Sequence, residues 1–349
     1  MKIVVVIGAR PQFIKHAPFE IACKGKIELI LIHTGQHFDS NMSEVFFNEL
    51  GMSKPHYLLQ TGGGNHGAQT GLMLQEIEPI VLKENPDCIL VYGDTNSTLA
   101  GALVGSKLHI PIIHIEAGLR SFNKDMPEEI NRILTDHVSE MLFTSTSSAI
   151  LNLKKEGITE NVFLLGDIMA DSVNLARTVN EKKSRPLEEP YYFVTVHRPY
   201  NTDKKERLIE LLTILNDLDK KVVFPIHPRT RNLAKTFEIE LLTFKNIIFL
   251  EPLSYFENIQ YLTYSDHAIT DSGGLQKEAY ILQTPCITVR SETEWIETME
   301  ESWNVLCFNN LLEIPDLLNR KLGEHNPLLY GDGKSSENIV ETILNKYSN

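Results

Sequence analysis

Cysteine is scarce: the 349 residues hold four, Cys23, Cys88, Cys286 and Cys307. Their spacing fits no metal-ligand pattern, and three lie in or beside apolar runs. They read as buried free thiols in a reducing compartment, not as a disulfide frame or a metal site. No block of lysine and arginine stands out, and the formal net charge is −13. That argues against nucleic-acid or membrane-surface binding, so an anionic ligand would need a local basic pocket. No apolar run is long enough to span a bilayer, and the N-terminus enters a strand at once, so a soluble cytoplasmic protein is expected. Low-complexity segments and short-period repeats are absent. What is present, 42% hydrophobic and 23% charged residues, suits a sizeable core divided between two domains.

Apolar runs of strand length alternate with helical patterns: Lys2–Ile7, Glu28–His33, Cys88–Tyr92, Ile112–Ile115, Met141–Ser145 and Val162–Asp167 in the first half. The second half repeats the alternation, with strands at Tyr191–Val196, Lys221–Ile226, Asn246–Leu250, His267–Thr270 and Pro285–Val289. This implies an α/β protein with two doubly wound, Rossmann-like domains. The charged, proline-flanked stretch 181–190 places the boundary near 168–190. The expected division is 1–168, 169–334 and an amphipathic C-terminal helix within 335–349.

In open α/β sheets ligands bind beyond the carboxyl ends of strands. Asp94 and Glu116 each follow an apolar run, and Glu128 follows Pro127 in the first turn of a helix. These three carboxylates are the acid/base candidates. The plainer reading is that Asp94 caps the next helix and Glu128 merely favours its own helix N-terminus. After the first strand, Gly8-Ala-Arg-Pro gathers Arg10, Lys15 and a helix N-terminus into a candidate anion site. It is no dinucleotide fingerprint, because the later glycines are missing and Pro11 interrupts the turn. Gln36 and His37 lie in a polar loop after the second strand. The glycine run 62–64 reads as a mobile lid, a ligand-approach loop or an ordinary linker. His197, His227 and Arg290 end strands of the second half, where the alternative is a structural or solvated residue. Ser272, Gly273 and Gly274 open a helix and can offer donors to a phosphate, with Glu278 one turn on as a ribose acceptor. Neither a metal cluster nor a nicotinamide site is visible.

The ordered set Gly-Ala-Arg-Pro (8–11), Thr-Gly-Gln-His (34–37), Gly-Asp-Thr (93–95), Glu-Ala-Gly-Leu-Arg (116–120), Pro-Glu-Glu-x-Asn-Arg (127–132), Val-His-Arg (196–198) and Thr-Asp-Ser-Gly-Gly-x-Gln-x-Glu (270–278) resembles the non-hydrolysing UDP-N-acetylglucosamine 2-epimerases. The resemblance runs from the first strand to about residue 300. It implies a glycosyltransferase-B-like fold with two domains facing a cleft, usually dimeric, whose C-terminal helix packs back on the N-terminal domain. It also implies elimination of UDP to a 2-acetamidoglucal and re-addition, with no cofactor. Asp94, Glu116 and Glu128 would then serve acid/base chemistry. Arg10 and His197 would contact the diphosphate, Ser272, Gly273 and Gly274 the phosphate, and Glu278 the ribose.

Several positions depart from the family pattern. Ala9 replaces the usual Thr and Gln12 the usual Glu. Glycines 62–64 replace a Pro-Gly-Gln stretch that helps hold an activating UDP-sugar in some bacterial members, which argues against such allostery. Gln12, Asn96-Ser97, Ser121-Phe-Asn and Thr-Glu-Trp (293–295) look like the branch acting on UDP-2,3-diacetamido-2,3-dideoxyglucuronic acid, so two substrates stay open. Rival classes are a glycosyltransferase of the same fold, a hydrolysing relative and a silent UDP-sugar-binding regulator.

Overall fold

The computed structural model describes residues 1–36, 47 and 50–347. His37, and the helix expected over 43–50 apart from Phe47 and Leu50, lie outside them. The chain divides into two compact units: Met1–Asn174 with Leu328–Asn349, and Leu175–Pro327.

Unit 1 runs β1 (Lys2–Ile7), α1 (Arg10–Cys23), β2 (Glu28–His33), β3 (Tyr57–Leu58), α2 (His66–Glu84), β4 (Cys88–Tyr92), α3 (Asn96–Lys107), β5 (Ile112–Ile115), α4 (Pro127–Val138), β6 (Met141–Thr144), α5 (Ser147–Lys155), β7 (Val162–Leu164) and α6 (Ile168–Asn180), within which the unit ends. The strands are all parallel, in the order β3-β2-β1-β4-β5-β6-β7. Their apolar, largely β-branched sequences fit burial on both faces. On one face Val4, Val6, Ile30, Ile32, Ile89 and Val91 pack against Met73, Ile77 and Val81 of α2 and Ala100 and Val104 of α3. α3 lies close to the sheet because it is built from small residues: a Cβ at Gly101 would stand 3.0 Å from Val91. α2 stops where Asn85 turns left-handed (φ 45°) and donates its N–H to the Val81 carbonyl.

Unit 2 holds β8 (Tyr191–Thr195), a short helix Pro199–Thr202, α7 (Lys205–Asn216), β9 (Lys221–Pro225), α8 (Pro228–Thr236), β10 (Ile247–Leu250), α9 (Tyr255–Tyr264), β11 (His267–Thr270), α10 (Gly273–Ile281), β12 (Cys286–Thr288) and β13 (Asn304–Leu306). Its parallel sheet has the order β10-β9-β8-β11-β12-β13. Leu208, Leu211, Leu212 and Leu215 of α7 pack onto Val194, Phe224 and Ile269 of that sheet.

The chain then returns to unit 1 as α11 (Ser335–Tyr347), burying Ile339, Val340 and Ile343. Asp171 fixes this end of the chain, accepting the N–H groups of Ser335 (3.1 Å) and Ser336 (2.6 Å) at the start of α11. All four cysteines are buried and free. Among the described residues no helix is long and apolar enough to cross a membrane.

Candidate active site

Each sheet has one point where the strand order reverses, between β1 and β4 in unit 1 and between β8 and β11 in unit 2. A crevice opens at the carboxyl ends of strands at such a switch point. Arg10, Lys15 and Asp94 follow the two strands that flank this point in unit 1, and His197 and Ser272 those in unit 2.

In unit 1, Asp94 and Glu116 follow the paired strands β4 and β5, and Arg10 and Lys15 lie on α1, which follows β1. Lys15 and Glu116 form a buried ion pair. Glu116 has a left-handed backbone (φ 72°) although it is not glycine. Gly93 (φ 62°) packs so closely that a Cβ there would stand 3.1 Å from a Glu116 carboxylate oxygen. Asp94 accepts from Arg132 at 2.6 Å. Burial pushes the Asp94 carboxyl above the ordinary carboxylate range; Arg132 pulls it down and the neighbouring Glu116 pushes it further up. Thr95, not Asp94, caps α3, accepting from the Thr98 N–H at 3.3 Å.

Arg132 and Glu129, which the sequence offers only as positions of the Pro-Glu-Glu-x-Asn-Arg motif, join this group. The Arg132 guanidinium bridges Asp94 and Glu129, the latter at 3.0 Å. Glu129 is buried and accepts from the Ser121 N–H (2.8 Å) and hydroxyl (3.0 Å) and the Phe122 N–H (2.9 Å). Burial acts to raise its pKa, but these donors and Arg132 outweigh it and leave it lowered. Glu128, one position earlier, is exposed in the first turn of α4. The spacing of Glu129 and Arg132, three apart on a helix, was the available signal. Asn131 adds a bond to the Asp94 carbonyl at 2.8 Å.

Around this group the turns are locked by neutral polar side chains. Gln12 accepts from the N–H groups of Gly8 (2.8 Å) and Ala9 (3.1 Å) and donates to the Tyr92 carbonyl and the Thr95 and Thr98 hydroxyls (3.0 Å each). An amide can both accept and donate; a carboxylate in its place could not donate. Gln36 accepts from the Ser97 N–H (2.9 Å) and hydroxyl (2.7 Å) at the start of α3. Arg10 is half-buried at the first position of α1.

In unit 2, Asp271 ties the two strand ends together. Fully buried, it accepts the N–H groups of His197 (3.0 Å) and Arg198 (2.9 Å) and the Asn201 amide (3.1 Å). His197 Nδ1 lies 3.3 Å from Asp271, and its ring stacks on that of the exposed His227 at 5.6 Å. Burial, with Arg198, His227 and Arg229 nearby, holds the His197 pKa below the ordinary imidazole value against the pull of Asp271. Ser272 is the N-cap residue of α10, and Glu278 is buried one turn in. A Cβ at Gly274 would meet nothing, whereas one at Gly273 would overlap the Glu294 carboxylate, which Arg290 holds at 3.0 Å. Among the described residues no group of three or more His, Cys, Asp or Glu could hold a metal ion.

The UDP-N-acetylglucosamine 2-epimerase family model matches residues 20–344. The chain belongs to that family. A UDP-N-acetylglucosamine 2-epimerase homolog of Methanococcus maripaludis is 47% identical, over 99% of this chain and 100% of its own. The UDP-2,3-diacetamido-2,3-dideoxy-D-glucuronate 2-epimerase of Pseudomonas aeruginosa is 46% identical, over 98% of this chain and 99% of its own. The crystal structure of the Methanocaldococcus jannaschii UDP-GlcNAc 2-epimerase, in complex with UDP-GlcNAc and UDP, superimposes with a TM-score of 0.89 at 43% identity, covering 99% of this chain and 100% of that one. The family member described here is accordingly an isomerase, a sugar-nucleotide 2-epimerase.

Proposed function

We propose that the enzyme interconverts UDP-N-acetylglucosamine and UDP-N-acetylmannosamine. The C2 proton of such a sugar is not adjacent to a carbonyl, so direct abstraction is very unfavourable. Loss of UDP from C1 with removal of the C2 proton gives a 2-acetamidoglucal; protonation of C2 from the opposite face and return of UDP to C1 gives the epimer. This needs acid and base groups for both faces of C2 and cations for the departing diphosphate. The observation that carries the reading is the pair of carboxylates at adjacent strand ends in contrasting settings: Asp94 with a raised pKa, Glu116 paired with Lys15. Glu128 is the third acid/base candidate. Arg10 and His197 serve the diphosphate, Ser272, Gly273 and Gly274 the phosphate, and Glu278 the ribose. Unit 1 thus supplies the acid/base carboxylates and Arg10, and unit 2 the remaining nucleotide anchors. Lys15, engaged by Glu116, sets the charge around that carboxylate. Gln36, His37, His227 and Arg290 are further candidate contacts. The enzyme acts as a homodimer in the cytoplasm, a reading supported by the family resemblance and the four free, buried thiols.

The same chemistry on UDP-2,3-diacetamido-2,3-dideoxyglucuronic acid is the second reading, favoured by the 46% identity to the Pseudomonas aeruginosa enzyme. Proton NMR in D₂O with each sugar nucleotide separates them: deuterium enters C2 as the epimer appears with the true substrate only. Asp94→Asn should abolish this exchange and leave UDP binding intact. A requirement for an acceptor before UDP is released would instead indicate a glycosyltransferase.

A further inference from the structure

Beneath the Asp94 and Glu116 turns lies a buried charge network that the proposed chemistry does not use. His114, on β5, has Nε2 2.8 Å from the Gly93 carbonyl and Nδ1 2.7 Å from Asp136 on α4. Both ring nitrogens therefore face oxygens that accept. Asp136 is fully buried and also accepts from the Gly118 N–H (3.1 Å) and the Arg120 guanidinium (2.7 Å). Arg120 grips Glu156, at the end of α5, through two bonds of 2.7 Å.

Three backbone points in this region are left-handed: Gly93 (φ 62°), Glu116 (φ 72°) and Gly118 (φ 79°). A non-glycine residue held there is strained and persists only where its surroundings over-determine it. The network supplies that determination, binding two residues before Glu116 at His114 and two residues after it at Gly118. Through the Gly93 carbonyl it also fixes the residue directly before Asp94. One buried imidazole–carboxylate pair therefore holds both strand ends that carry the carboxylates.

We propose that His114 and Asp136 are positioning residues for the epimerisation, fixing the Gly93 carbonyl and the Glu116–Gly118 turn so that Asp94 and Glu116 meet C2 of the sugar in reacting geometry. This rests on the acid/base reading of Asp94 and Glu116. Displacement of a reacting group by about 1 Å costs about 10²-fold in rate. The effect should fall on kcat, because the bonds of this network end on the turns that carry Asp94 and Glu116.

The test compares His114→Phe, which keeps a ring and removes both ring nitrogens, with His114→Gln, which keeps a donor for the Gly93 carbonyl, and with Asp136→Asn. The readouts are kcat and KM for epimerisation, UDP affinity, the count of folded sites from hydrogen-exchange protection of unit 1, and thermal midpoint. His114→Phe and Asp136→Asn should lower kcat per folded site by about 10- to 100-fold, with KM and UDP affinity nearly unchanged, and His114→Gln should recover most of the loss. A merely structural role would lower the midpoint and the number of folded sites but leave kcat per folded site at the wild-type value, which overturns the proposal. If His114→Phe does not fold, Asp136→Asn decides by the same criterion. Asp94→Asn is run alongside. If it keeps wild-type kcat, the acid/base reading falls and the positioning role with it. If it is inactive while the network variants keep wild-type kcat, the positioning role alone falls.

Discussion

Replacing Arg132 with methionine keeps the unbranched stem of the side chain and removes the guanidinium that bridges Asp94 and Glu129. Each charge-assisted bond of this kind contributes about 1.5–3 kcal/mol. The Asp94 half must be discounted, because that side chain is 29% exposed and partly screened. The Glu129 half is buried, but Glu129 keeps its three donors from Ser121 and Phe122. The net loss should be about 2–4 kcal/mol. Lysine should recover only part of it, since a point charge cannot reproduce the two-pronged contact. Both tryptophans, Trp295 and Trp303, lie in unit 2, so their fluorescence is a poor reporter. The assay is hydrogen exchange resolved over α4, supported by urea unfolding followed by circular dichroism. Since Arg132 lowers the Asp94 pKa, its removal should also shift the pH dependence of C2 exchange upward. Unchanged α4 protection together with an unchanged pH profile would refute this account of the bridge.

Gly8→Ala should destabilise unit 1 by about 1–3 kcal/mol, because the new methyl would overlap the hydroxyls of Thr34 and Ser97, which bond to each other at 2.8 Å; thermal unfolding checks it. At Asp136, burial raises the pKa but His114 and Arg120 outweigh it, leaving the folded value lowered. The unfolded chain then takes up this proton first as pH falls, so the stabilisation is present above the unfolded value near 3.8 and fades below it. Asp136→Asn should therefore lose stability less steeply than wild type over that acid range in urea titrations; parallel curves would refute the linkage. Glu278→Ala should weaken UDP binding by roughly tenfold, the loss of one hydrogen-bonded contact of about 1.4 kcal/mol, measured by calorimetry; an unchanged affinity removes its ribose role.

The strands legible in the sequence are those whose runs are long enough to declare themselves, such as Lys2–Ile7 and Tyr191–Thr195. β3 and β13 escaped notice because they have two and three residues and owe their form to pairing, Ile32 with Tyr57 and Cys286 with Asn304. α8 was missed because His227-Pro228-Arg229 read as the end of a strand, whereas Pro228 opens a helix that His227 caps. Asp94 and Glu116 were legible because a polar residue directly after a buried run marks the end of a strand. Their setting was not. Neighbouring helical residues point about 100° apart, and only packing decides that Glu129 turns inward to Arg132 while Glu128 faces out. His114 stood in plain sight inside an apolar run, but its partner Asp136 is 22 residues on, with no local pattern linking them.

The return of α11 to unit 1 has a consequence for synthesis. Asp171 is translated well before Ser335 and Ser336, whose N–H groups satisfy it. Between the two parts of unit 1 the ribosome must make residues 175–327, a stretch of 153 residues. At about 5–20 residues per second this takes roughly 8–30 s. Throughout that interval the first unit waits with the apolar surface that α11 will cover still open to water. Its final closure follows the making of the second unit, so a ribosome that stalls late harms the part of the protein it made first.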